Sequence, residues 1–209
     1  MAITSKKPPV KESVGALYYC FNTPKEGTND FTETYEAEVT KSEVVKSVTV
    51  TENGDTTNVY ASGKVYDSIS DVTSVDNELE VVAIDAKDLY KMRGDTVTES
   101  GAILSGKPTD RPFFAYGKVV KLRNGGVRLE WFPKCKLTEN SDEAKTKEES
   151  FSEQNDKVVI RAYPYDADGN IKFFVDSTVK MPEGMTEDKF FAKPLLKEAD
   201  LTAAISSAS

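Results

Sequence analysis

The sequence predicts one mainly β domain with one principal α-helix and long excursions. Three observations predict it. Apolar residues recur with period two along most of the chain. Val, Thr, Tyr and Phe dominate the apolar set, the residues that suit a pleated, half-buried surface. Turn-forming clusters separate these runs at short intervals. A length of 209 residues is enough for one large core, at about 150 residues per domain.

Residues 1–13 carry Lys6, Lys7, Pro8, Pro9 and Lys11 with no apolar stretch behind them. They read as a flexible N-terminal arm and not as a signal peptide. Residues 14–21 (VGALYYCF) read as the first strand. Residues 23–33 are polar, with Pro24, Gly27 and Asn29, and suggest no packed element. Residues 44–51 and 57–62 flank Glu52-Asn53-Gly54-Asp55, and Asn-Gly is a strong hairpin signal. Residues 78–84 read as a short strand, with Glu78, Glu80 and Val82 on one face and Leu79, Val81 and Ala83 on the other. A helix is expected over 86–93. Asp85 is a good N-cap, Ile84 and Leu89 occupy the hydrophobic-staple positions, and Gly94 suits the left-handed end. Asp88 in the first turn and Lys91 and Arg93 in the last match the helix dipole.

Residues 112–122 and 127–137 form the clearest strand pair, joined through Arg123-Asn124-Gly125-Gly126. In the second, alternation puts Val127, Leu129, Trp131, Cys135 and Leu137 on a core face and Arg128, Glu130, Phe132, Lys134 and Lys136 on a face expected mostly towards solvent or a partner. Pro133 lies inside it and marks an edge or a bulge, because proline donates nothing to a ladder. Residues 139–156 hold seven acidic residues, Lys145 and Lys147, and almost nothing apolar except Phe151, the pattern of a long disordered or functional loop. A further hairpin is expected from 157–165 and 171–177 around Asp166-Ala167-Asp168-Gly169-Asn170. A short helix over 187–192 follows Thr186 and stops before Pro194, and 195–204 is weakly helical. The chain thus divides into the arm 1–13, a β-rich domain 14–180 and a partly helical C-terminal extension 181–209.

Charge and composition narrow the chemistry. Lys and Arg total 27 against 35 Asp and Glu, a net charge of −8, which disfavours non-specific nucleic-acid binding. There is no His, which removes the commonest general base near neutrality and every Ser-His-Asp or Cys-His arrangement. Cys20 and Cys135 are far apart in sequence and read as free thiols packed as small hydrophobes. No apolar run is long enough for a membrane-spanning helix.

Three motifs fall short of the chemistry they suggest. In Gly101-Ala-Ile-Leu-Ser-Gly106-Lys107-Pro108, proline stands where a phosphate loop needs a hydroxyl residue and the start of a helix. The run 166–170 opens like a calcium loop but lacks the required later glycine, and Ser177 stands where the acidic twelfth ligand belongs. Nothing singles out a carboxylate pair for glycoside hydrolysis. The expectation is a non-enzyme with no cofactor and no metal. More informative is the acidic group Asp67, Asp71, Asp76, Glu78 and Glu80. It reads either as an ordinary solvated face or as a surface that must not adhere to an anion.

The order of segments carries a resemblance. Leu17-Tyr18-Tyr19 lies in the first strand, and AKDLYKMR follows a strand. Then come PFFAYGKVVKL, GGVRLEWFPKCKL, the loop TENSDEAKTKEESF and KVVIRAYP. This order resembles the major tail tube proteins of long-tailed, siphophage-type bacteriophages infecting Gram-positive bacteria. It covers residues 14–180, and the segment after Met181 matches nothing in it. The resemblance implies two packed β-sheets of the tail-tube sandwich or barrel type, with one helix and extended loops. It implies hexameric rings stacked into a tube around a tape-measure protein, bounded by tail terminator and distal tail proteins, through which DNA passes without specific binding. The location implied is the virion tail, with assembly in the host cytoplasm and no membrane.

On that reading Glu78 and Glu80 are candidates for lumen-facing charge. Asp142, Glu143, Lys145, Lys147, Glu148, Glu149 and Phe151 are candidates for an inter-subunit loop. The alternative from another class is a β-sandwich that binds carbohydrate or a host-surface protein within a tail or cell-surface assembly, which expects an exposed aromatic patch.

Overall fold

The computed structural model describes residues 5, 7–106, 111–143, 146 and 155–206. The elements in chain order are β1 (Lys11–Phe21), β2 (Thr40–Ser42), β3 (Val45–Ala61), β4 (Lys64–Val81), α1 (Ala86–Arg93), β5 (Thr96–Val97), β6 (Ile103–Leu104), β7 (Phe114–Leu122), β8 (Val127–Ser141), β9 (Asp156–Ala162), β10 (Phe173–Asp176), α2 (Glu187–Phe191) and α3 (Glu198–Ser206). The protein is mainly β, as the period-two pattern predicts. One large antiparallel sheet runs β2-β1-β7-β8-β9-β4-β3, β10 joins it along β8, and β5 and β6 form a small second sheet.

The large sheet folds over at β8. The first part of β8 pairs with β7 on one side and β10 on the other, with Trp131 opposite Phe173. The last part pairs with β9, with Cys135 opposite Ala162. Between them lies Pro133, and the β7–β8 register slips there, from Tyr116↔Phe132 to Phe114↔Cys135. The proline therefore marks a bulge, one of the two options its sequence position allows. The bulge changes which side chains share a face. Straight alternation groups Trp131 with Cys135, but the two enter different cores. Arg128 and Glu130, expected towards solvent, turn inward on the face of Phe132, and Glu130 is buried.

The first core lies inside the folded sheet, where Leu17, Tyr19 and Phe21 of β1 meet Leu79, Val81, Leu137 and Ile160 from the other half. Helix α1 closes it with Met92, and Leu89 and Ile84 pack alongside. The helix is capped as expected: Asp85 accepts hydrogen bonds from the Lys87 and Asp88 N–H groups, and Gly94 is left-handed with φ 74°. The second core covers the opposite face of β1, β7 and β8 with α2 and α3. Trp131 Nε1 donates to the Phe190 carbonyl at 3.0 Å. Phe191 stacks on Tyr18 with ring centroids 3.9 Å apart and meets Trp131 edge-on. The C-terminal segment is thus part of the body. Cys20 and Cys135 are free and buried.

Two hairpin expectations are corrected. Asn53-Gly54 does not turn the chain, and β3 runs through it to Ala61. The reversal falls at Ser62-Gly63, with φ 52° and 73°, both in the left-handed region that a tight two-residue turn needs. β4 also ends at Val81, so Val82–Ile84 is not strand. At the other site, Asp166 accepts from the Asn170 backbone N–H at 2.8 Å and makes the expected turn. The flanking β9 and β10 do not pair with each other, however; each pairs with its own stretch of β8.

Gly117 lies beneath the aromatic stack. A Cβ there would sit 2.7 Å from Phe191 Cε1 and 3.0 Å from Trp131 Cε3, and both of these rings are buried. Gly117→Ala is expected to cost about 1–3 kcal/mol in urea unfolding, the usual range for overpacking a core.

Candidate functional site

The β3–β4 ladder is longer than the sheet that supports it. Residues 75–81 of β4 pair with β9 on their second side. Beyond Val75, residues 54–61 and 64–72 pair, among the described residues, only with each other, forming a two-stranded arm that extends past the body. Val59, Tyr60, Val65, Tyr66 and Val72 are exposed on it, Tyr66 to 79 %.

A bulge at the root of the arm arranges its charge. Asn53 pairs with Ser74 and Gly54 with Val72, so Thr73 is an extra residue on β4. Gly54 is needed there, because a Cβ would lie 2.5 Å from the Asp71 carbonyl oxygen. The slip exchanges odd and even positions on β4. Asp76, Glu78 and Glu80 lie opposite Thr51, Thr49 and Ser47, and after the bulge Asp71 lies opposite Asp55 and Asp67 opposite Val59. Alternation from Thr49 through Val59 then places Asp55, Asp67 and Asp71 on the same face of the twisted ladder as Glu78 and Glu80. The five acids noted in the sequence share one face because of this bulge, and Asp55 joins them. Asp55 directly opposite Asp71 is a like-charge cross-strand pair, unfavourable in an isolated ribbon.

The face is not uniformly negative. Lys157 stands opposite Glu80 on β9, and Asn155 Nδ2 donates to Glu80 Oε1 at 2.8 Å. Asp76 is held by Arg161 through two hydrogen bonds of 2.6 and 2.8 Å and accepts a third from Asn53 Nδ2. Among the described residues no cation forms an ion pair with Asp55, Asp67, Asp71 or Glu78.

Of the predicted loop residues, Asp142 and Glu143 follow the end of β8, and Lys145, Lys147, Glu148, Glu149 and Phe151 lie outside the described residues. Burial, with the Asp142 charge adding to it, pushes the Asp156 carboxyl up. This loop leaves the β4–β9 ladder at the Val81 end, and the arm leaves at the Val75 end, so the two excursions depart from opposite ends. The arm was missed in the sequence because its own signal, the Ser62-Gly63 turn, is weaker than Asn53-Gly54. The phosphate-loop-like run places Gly101 and Ala102 in the connection between β5 and β6. Its Lys107 lies outside the described residues.

No family model matches the sequence, and no curated protein does. Among solved structures, the fold is similar to a chain of the cryo-EM structure of the anti-feeding prophage (AFP) baseplate, six-fold symmetrised. The TM-score is 0.43 and the identity 9 %, over 85 % of this chain and 100 % of that one. A likeness of that size decides neither fold nor role.

Arg161 holds the Asp76 carboxyl below the usual range, against a smaller opposing effect of burial. A carboxyl depressed on folding stabilises the fold above its unfolded pKa and loses that contribution as pH falls. Asp76→Asn is therefore expected to cost about 1 kcal/mol at pH 7. The gap to the parent protein should begin to narrow only as pH falls below about 4 in denaturant titrations.

Proposed function

We propose that this chain is a non-enzymatic structural protein of a phage-type tail, polymerising as hexameric rings that stack into the tail tube. The observation that carries the reading is the arm. A two-stranded ribbon is marginal in water by itself, and this one exposes both strand edges and several large apolar side chains. In a monomer such edges are a liability, but a neighbouring copy that packs on them turns them into an interface. A head-to-tail contact that closes on itself makes a ring. The segment order that resembles major tail tube proteins supports the same reading.

The two faces of the arm suit different neighbours. One carries Asp55, Asp67 and Asp71; the other carries Thr56, Asn58, Ser68 and Ser70 with Val72. In the proposed assembly the second face is covered by the next subunit. The acidic face, continued by Glu78 and Glu80, lines the bore. Carboxylates there repel phosphates, so DNA slides and does not adhere. A tape-measure protein occupies the lumen during assembly in the host cytoplasm, and terminator and distal tail proteins close the two ends. No cofactor is needed. Tyr60 and Tyr66, exposed at the arm tip, favour the second reading, a module that binds carbohydrate or a host-surface protein.

Negative-stain microscopy of the full chain at rising concentration tests the proposal against a variant in which a two-residue Asn-Gly turn replaces residues 54–72. Rings or tubes are expected from the full chain and folded single subunits from the variant. Discrete particles from the full chain at every concentration, or tubes of ordinary length from the variant, would overturn it.

A further inference from the structure

The large sheet does not close, and the gap has a floor of buried charge. The chain leaves β2 on the edge of β1 and enters β3 on the edge of β4. Between residues 11–14 of β1 and 46–52 of β3 lies a cleft of about 740 Å³. The consecutive residues Lys11, Glu12, Ser13 and Val14 line one wall, and Lys46, Ser47 and Val48 line the other. Consecutive residues reach a cavity together when a strand turns its edge towards it. Among the described residues neither 11–14 nor 47–52 pairs with a strand on that side.

At the floor, Lys118 and Glu130 are each 3 % exposed, with Lys118 Nζ 3.1 Å from Glu130 Oε2. Arg128 Nε lies 2.6 Å from the other oxygen of Glu130, yet it is buried and not aligned as a hydrogen bond. One carboxylate therefore serves two cations, of which Lys118 is buried and the Arg128 side chain is 27 % exposed. The Tyr116 hydroxyl, on the same face of β7 as Lys118, is buried with no hydrogen-bond partner among the described residues. Glu12 and Glu52 also line the cleft, and Glu52 pairs with Lys172 at 3.3 Å, but at the floor two cations share one carboxylate, and a second carboxylate arriving from outside would neutralise that local excess. Burial already makes Lys118 harder to protonate than an ordinary lysine.

We infer that this cleft receives an extended acidic segment of a partner protein. The segment adds a strand to the free edge of β3 or β1 and delivers one carboxylate to Lys118 and Arg128. Two free edges favour a peptide strand over a small molecule, since backbone hydrogen bonds supply affinity and alternate side chains supply specificity. Val14, Val48, Val50 and Val120 along the cleft suit apolar side chains on either side of the acid. The cleft is separate from the arm, so its occupancy is measurable whether or not tubes form.

The test uses the full chain and a soluble alternating Val-Glu octapeptide, with an alternating Val-Lys octapeptide and succinate as comparisons. Titration followed by backbone amide NMR is expected to shift residues 11–14 and 46–52 with the Val-Glu peptide alone. Arg128→Gln, whose side chain is 27 % exposed, should weaken that binding roughly tenfold or more while the remaining amide spectrum is kept. Three outcomes would overturn the inference: no shift at these residues, equal binding of the Val-Lys peptide, or succinate binding as tightly as the Val-Glu peptide.

Discussion

Most of what distinguishes this protein follows from a ladder that outruns its support. β9 backs β4 only as far as Val75, and the body ends there while β3 and β4 continue to Ser62-Gly63. Everything past that point has hydrogen bonds on one side of each strand and exposed side chains on both faces. Such a ribbon offers neither the burial nor the edge pairing that stabilises a sheet. The body is the opposite case. Its two cores lie on opposite faces of one sheet, and β8 contributes to both because the bulge at Pro133 turns its second half over.

Two bulges therefore decide where function can lie. The one at Pro133 brings Cys135 and Leu137 onto the face of Phe132 in the inner core, the face that Arg128 and Glu130 share by alternation. The one at Gly54 moves Asp67 and Asp71 onto the face of Glu78 and Glu80. Each is a slip of one residue, and each reverses the facing of everything beyond it. The negative charge of the chain is consequently gathered along one ladder, while a positive excess is locked beneath the open seam between β1 and β3.

Local chemistry was readable in the sequence wherever it decides the outcome locally. Asp85 and Gly94 bound α1, Thr186 caps α2 through the Lys189 N–H, and Asn124-Gly125 links β7 to β8. What was not readable depends on partners distant in the chain. Asn53-Gly54 carries the stronger turn signal, yet the pairing of β3 with β4 on both sides of it absorbs the pair as a bulge. The turn at 166–170 was visible, but not that its flanking strands join different parts of β8. Glu130 looked solvated because alternation was carried straight through Pro133. Glu78 is exposed and Glu80 half-buried, and Lys157 opposite Glu80 is a neighbour that no spacing rule supplies.

The account stands on the arm being completed by another copy of the chain. Amide hydrogen exchange across residues 54–72, followed from dilute to concentrated protein, measures this most directly. Fast exchange in the dilute subunit is expected, slowing markedly as particles form, with β7 and β8 protected throughout. Strong protection of the arm at the lowest concentration, unchanged on concentrating, would mean that the ribbon is self-sufficient and would contradict the account.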